Sequence, residues 1–272
     1  MAALLGQLIS EFESLWPLTG AEAWDAPGLV TGSSQDRISR VLLTVDVTSE
    51  VIEEAIDGGF DLVLAHHPFI MRGVSSVSAD NAKGSTLTRS IRSNVAIYAA
   101  HTNADIVENG VSDTLAKAIG LSNIEPLISD GSTVGHGRIG VLPEAISLGN
   151  FARFVAGVLP STASGVRVAG DYEQPVRKVA LCAGAGDSFI ERAIEVSADV
   201  YLTSDLRHHV VQDVRESAIV GGGGPAIIDV SHWAAEWLWL EVAAGQLAAK
   251  FSEIQFVVSH IRTDPWDFVV TQ

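Results

Sequence analysis

The chain has 272 residues, 47% of them hydrophobic and 18% charged, a globular profile with no sign of disorder. Thirty-three acidic residues against seventeen basic ones give a formal charge of −16, a surface that repels phosphate backbones and argues against general nucleic-acid binding. Cys182 is the only cysteine, which excludes an intrachain disulfide and a Cys-based zinc cage, so any metal must rest on His and carboxylate.

The length suits either one large α/β unit or two smaller lobes. "MAALLGQLISEFESLW" lacks a basic segment and a cleavage signal and reads as an amphipathic helix. No apolar run reaches the ~18–20 residues that span a bilayer. The expectation is a soluble, cytoplasmic protein with no membrane partner.

"RVLLTVDV" (40–47) reads as a buried strand. Thr48 and Ser49 can cap the helix "EVIEEAIDGG", which Gly58 and Gly59 stop. "DLVLAHH" is the next strand. The same strand–helix–strand reading fits 178–206, and the two stretches align without a gap at an offset of 138 residues. Val41 matches Val179, Leu43 matches Leu181, Ile52 matches Ile190 and Asp61 matches Asp199. Any two βαβ units share apolar spacing, but a gapless match of this length favours an internal duplication. "VAIYAAHTNAD" (95–105) and "AIIDVSHWAAE" (226–236) form a second pair, at an offset of 131. The change in offset implies a shorter connecting helix in the second copy.

These repeats predict two related α/β lobes with internal pseudo-symmetry, 1–125 and 126–272. The Gly- and Ser-rich stretch 129–140 joins them, with room for the C-terminal strand to pack back on the first lobe. The helix 233–251 carries an apolar stripe with Trp237 and Leu240, fit for a core or a subunit interface. The terminal stretch "EIQFVVSHIRTDPWDFV" reads as a last strand broken at Pro265.

Six of the eight histidines follow predicted strands, where open α/β sheets gather their ligands. His66 and His67 end one strand, and both reach one site only if the chain turns there. His101 with Asp105, and His232 with Glu236, repeat a His-x-x-x-carboxylate spacing. On a helix that spacing puts both groups on one face. Either pair alone could be a local hydrogen bond, and histidines without metal are the bland alternative. Together they suit Zn, Mn, Fe or Co with open positions, and two ions rather than one. In the second copy Ser204 and Asp205 stand where His66 and His67 stand in the first. Asp205 and His209 could hold a ligand in place, face substrate, or only open a helix. "AGAGDS" (183–188) is a weak candidate for an anion cradle. "GGGG" (221–224) reads as an approach to a strand, and Cys182 as buried and inert.

At "WDAPGLVTG", "AHHPFI", "YAAHTNAD", "TSDLRHH", "SHWAAE" and "RTDPWDF" the sequence resembles the NIF-three-like family, also labelled type 2 GTP cyclohydrolase I homologues. The resemblance implies a metal site in the cleft between two lobes and a ring-shaped homohexamer. By matched motif the metal ligands are His66, His67, Asp105, His232 and Glu236. Glu236 bridges two divalent ions, His101 lies close by, and Glu236 and His101 are the catalytic candidates. The implied activity is hydrolytic, on a small nucleotide-like ligand such as GTP, whose ring would open at C8. A phosphoesterase would use the same metal pair, and a metal-delivery or regulatory scaffold with little turnover is the alternative. Ala26 stands where the family usually has Asn, and Ser204 where it often has Gly.

Overall fold

A computed structural model of the chain describes residues 2–129, 131 and 133–271. Two compact units emerge: Met1–Ala104 with Leu240–Thr263, and Asp105–Trp239 with Asp264–Gln272. Among the described residues, no helix is long and apolar enough to cross a membrane.

The first unit opens with β1 (Ala3–Leu4) and α1 (Leu5–Leu15), followed by β2 (Gly28–Thr31) and β3 (Arg37–Ile38), which pairs with β1. Then come β4 (Arg40–Thr44), α2 (Ser49–Asp57), β5 (Leu62–Ala65), α3 (Ala82–Arg92) and β6 (Ala96–Ala99). Leu5, Leu8 and Phe12 form the buried stripe of α1, and the Phe12 ring lies 4.8 Å from that of Tyr98 on β6. Thr48 caps α2 by accepting from the Val51 amide at 3.2 Å, and the helix stops at Gly58, with Gly59 left-handed at φ +63°. Val51, Ile52 and Ala55 turn inward against Leu42, Val63 and Ile97 of the sheet. Each buried Val or Ile contributes about 1.5–3 kcal/mol.

The chain continues through α4 (Thr102–Asp105), α5 (Val111–Ala118), β7 (Ser122–Ile128), β8 (His136–Ser147), α6 (Leu148–Val158) and β9 (Arg167–Ala169). The second unit is completed by β10 (Pro175–Ala185), α7 (Ile190–Glu195), β11 (Val200–Ser204), α8 (His208–Gly221) and β12 (Ala226–Val230). Next is α9 (His232–Lys250), within which the chain passes from the second unit to the first, and last β13 (Gln255–Val258).

The first sheet has the order β13-β4-β5-β6-β2, parallel except for β2. The second has β7-β8-β10-β11-β12-β9, in which β10, β11 and β12 are parallel and the rest antiparallel. The duplication is visible in the ladders. Val41, Leu42 and Leu43 face Leu62, Val63 and Leu64, and Val179, Ala180 and Leu181 face Val200, Tyr201 and Leu202. That is the same register at the 138-residue offset. For the third strand the register corrects the alignment. Ala96 and Ala226 take equivalent places beside Leu62 and Val200, one residue away from the 131 offset that superposes the histidines. His232 therefore lies one residue farther than His101 from the equivalent ladder position, because β12 is one residue longer than β6.

Other expectations also change. The shortening between the copies is not in the helix, since α8 has 14 residues and α3 has 11. It lies in the segment before the helix, 66–81 in one copy and 205–207 in the other. β4 and β5 stop at Thr44 and Ala65, and β13 stops at Val258, well before Pro265. Of the stretch 129–140, residues 130 and 132 lie outside the described residues, and His136–Gly140 open β8 rather than a loop. The four glycines at 221–224 end α8: Gly222 is left-handed at φ +75°, and the Gly223 amide donates to the Ala218 carbonyl at 2.8 Å. In α9, Trp239 and Leu240 are fully buried, while Trp237 is half-buried beside Trp233.

Candidate metal centre

In the first unit Ala65 pairs with Ala99, so the segments leaving β5 and β6 emerge side by side. The pairing outlasts the strands. The His66 and His67 amides donate to the Thr44 and Val45 carbonyls at 3.0 and 2.9 Å, and the Ala100 amide donates to the Ala65 carbonyl at 2.9 Å. His66 is fully buried and donates from Nδ1 to the Ala100 carbonyl at 2.9 Å. His67 donates from Nδ1 to Asp46 at 2.7 Å, and Asp46 in turn accepts from the Thr263 hydroxyl at 2.5 Å. His101 donates from Nδ1 to Asp25 at 2.7 Å. The three rings lie with centroids 4.9, 5.2 and 5.4 Å apart. Each offers a nitrogen within 4.8 Å of the others. Metal–nitrogen bonds of about 2.1 Å set the ligands of one ion roughly 3–4 Å apart, so the cluster is near coordinating size.

Asp25 belongs to this arrangement as well. Burial alone raises a carboxyl, but hydrogen bonds from His101, Thr102 and the Ala26 amide outweigh it and hold Asp25 at about 2. It is a fixed anion behind His101.

In the second unit α9 begins at His232, just after β12. Ser231 caps it by accepting from the Ala234 amide at 3.2 Å, and donates its own hydroxyl to Asp264 at 2.6 Å. One turn on, Glu236 meets His232 Nε2 at 2.8 Å, as the i,i+4 spacing predicts. Asp205, in a left-handed conformation at φ +59°, accepts from His232 Nδ1 at 2.7 Å. Burial disfavours charge on His232, yet the flanking carboxylates of Glu236 and Asp205 prevail and push its pKa up to about 11. Glu236 is nearly inaccessible. Asp105 closes the single turn α4 and is half-buried. Burial raises the Cys182 thiol, and the charges of Asp105 and Glu236 raise it further, which keeps Cys182 an inert thiol.

The glycines of 183–188 let the chain pass close to this corner. A Cβ on Gly184 would stand 2.5 Å from Glu236 Oε1 and 3.3 Å from His232 Nε2. The carbonyls of Gly184 and Gly186 accept from Thr203 and Tyr201. His209 is exposed on α8 with its ring against His208.

One regularity ties these residues together. His66, His67, His101 and His232 all direct Nδ1 at an oxygen that only accepts: the Ala100 carbonyl, Asp46, Asp25 and Asp205. Nδ1 must carry the hydrogen, so Nε2 is the nitrogen that can ligate in each neutral ring. Metal-binding imidazoles are oriented in this way. Sequence reasoning did not find Asp25 and Asp46. Asp46 carried a signal, a carboxylate in the otherwise apolar end of the run 40–47. Asp25 reaches a partner 76 positions away and carried none beyond its place in "WDAPGL".

The profile of the family described as Duf34/NIF3 (NGG1p interacting factor 3) matches residues 3–265. A Streptomyces coelicolor protein named GTP cyclohydrolase 1 type 2 homolog is 40% identical, over 96% of this chain and 93% of its own. A Mycobacterium leprae protein of the same name is 31% identical, over 98% and 96%. Among solved structures, a Bacillus cereus protein related to NIF3 superposes with a TM-score of 0.89 at 27% identity, over 98% of this chain and 99% of that one.

Proposed function

The chain belongs to the Duf34/NIF3 family, and on that premise we propose that it is a dinuclear metal protein that hydrolyses a nucleotide-like substrate. His66, His67, Asp105, His232 and Glu236 would hold the metal, which would be two divalent ions of Zn, Mn, Fe or Co. The observation that carries this reading is the set of four imidazoles anchored through Nδ1. A set of imidazoles and carboxylates without thiolate fits such ions. When bound, the pair supplies an acidified water and electrostatic support for the oxygens of the displacement.

The chain's own groups do the rest. Asp46 and Asp205 fix the rings of His67 and His232, and the Ala100 carbonyl fixes His66. His101, oriented by Asp25, carries a proton at Nε2 to or from the reacting group. We assign the substrate to the purine nucleotides because the similar S. coelicolor and M. leprae proteins carry a GTP cyclohydrolase name. The family description, an interacting factor, favours a second reading, in which the same ions serve a metal-delivery or regulatory scaffold. From the resemblance we also propose a cytoplasmic homohexamer, which light scattering tests; a clean monomer contradicts it.

The deciding experiment is elemental analysis of the purified protein beside His67→Ala and Asp105→Ala, with a nucleotide panel assayed on the same samples. Tightly held metal that both substitutions reduce supports the centre. Less than about one ion per chain, unaltered by either change, sinks it. A metal-dependent rate abolished by Glu236→Ala marks the enzyme, and metal without any substrate-dependent rate marks the scaffold.

A further inference from the structure

The second unit holds a hollow of about 610 Å³ between α8 and the edge formed by β9 and β12. It shares no residue with the proposed metal ligands. α8 has 14 residues but buries only Val214. A helix laid on a sheet normally gives an apolar stripe to the core. Here the positions at helical spacing that line the hollow are His208, Val211, Gln212, Arg215, Glu216 and Ile219. The helix meets the core through Val210, Val211 and Val214 and gives the hollow a mixed polar and apolar face, and the volume falls within the roughly 300–1,000 Å³ of small-molecule sites.

Its charges are unusual for this chain. Arg167 is committed to Asp229 at 2.6 Å. Arg207 and Arg215 also line the hollow, and among the described residues neither guanidinium has an acceptor. One further carboxylate, Glu216, lines the hollow with them. Unpaired guanidinium groups above apolar side chains, in a protein of net charge −16, form a place where an organic anion gains both charge pairing and burial. The first turn of α8 adds to this, because Arg207 at its N-cap offers no side-chain acceptor to the opening amides.

We propose that this hollow binds a small organic anion. Its carboxylate or phosphate monoester group pairs with Arg207 and Arg215, and its apolar body rests on Val168, Val211 and Ile227. The proposal is independent of the metal reading.

The test is calorimetric titration of the purified full-length protein with phenyl phosphate and, separately, phenylacetate, with inorganic phosphate as control. The expected result is one site per chain for at least one aromatic probe, at least tenfold tighter than inorganic phosphate. The arm that binds identifies the head group. Binding should weaken at least tenfold in Arg207→Glu/Arg215→Glu, whose residues are both exposed and whose melting should not change. It should also be lost in Val211→Trp, which fills the hollow without altering charge. It should persist in His67→Ala, which separates it from phosphate held at the metal site. No binding of either probe, or equal binding in the two hollow variants, overturns the proposal. So does a change of oligomeric size in those variants, because the face would then be a contact between copies.

Discussion

Asp205 is a residue in an unusual place, since few side chains other than glycine adopt φ near +59°. What it gains there is the contact with His232 Nδ1. Asp205→Asn keeps an acceptor and tolerates the left-handed backbone, but removes the charge. Its expected effect is a fall in metal affinity of about 10–100-fold with the melting temperature unchanged, read by chelator competition. An unchanged affinity would detach Asp205 from the centre. His232 also sets a pH dependence. Its imidazolium, held up to about 11 by Glu236 and Asp205, keeps its second proton at neutral pH. An ion that takes Nε2 must displace that proton, so binding weakens as pH falls, by about tenfold per unit for one proton. Titrations at pH 7 in buffers of different ionisation enthalpy should therefore show proton release on metal uptake. Uptake with no proton release would mean that His232 is not a ligand.

At the scale of elements, the clearest structural clamp joins α5 to β8. Arg138 is buried and all five of its donors are used. Nε reaches Asp113, one terminal nitrogen reaches the Gly135 and Gly137 carbonyls, and the other reaches those of Ile106 and Val107. Arg138→Ala removes a donor from Asp113 and from four carbonyls, of which Asp113 keeps Lys117 and the Asn109 amide and Ile106 keeps the Gly135 amide, and should cost about 1–3 kcal/mol in urea unfolding. Burial raises Asp113, but Lys117, the Asn109 amide and Arg138 outweigh it and set its pKa below the ordinary value. A carboxyl depressed by folding stabilises fully above its unfolded value of about 3.9, and that gain fades as pH falls through the lower folded value. The wild type should lose this contribution only in strong acid, while Asp113→Asn should lack it at every pH.

This clamp was not legible in the sequence, because Arg138 gathers Asp113, Val107 and Ile106 from 25 to 32 positions away. The strands that carry the histidines were legible, because buried parallel strands are apolar on both faces and stop where polar residues begin. Their ends were less so: the last strand closes at Val258 because its ladder with β4 runs out, not because of Pro265. The one-residue shift between the histidine-bearing copies was hidden too. Sequence alignment superposes side-chain chemistry, whereas register follows backbone pairing.

For the whole molecule, the proposed ions act through mass action. A ligand held only by the folded chain stabilises it by about 2.7 kcal/mol at one hundred times its Kd. Each kcal/mol moves the melting point of a chain this size by about 2–4 °C. Metal at that excess should therefore raise the melting temperature by roughly 5–10 °C. Chelator should reverse the rise, and His67→Ala should remove it. The control is built into the charge of the chain. At −16, any divalent cation also screens surface repulsion, an effect that magnesium at equal ionic strength reproduces without imidazole ligation. A rise produced equally by zinc, manganese and magnesium, and surviving in His67→Ala, would assign the stabilisation to screening of the acidic surface. A rise specific to the ions that imidazole prefers would assign it to the histidines.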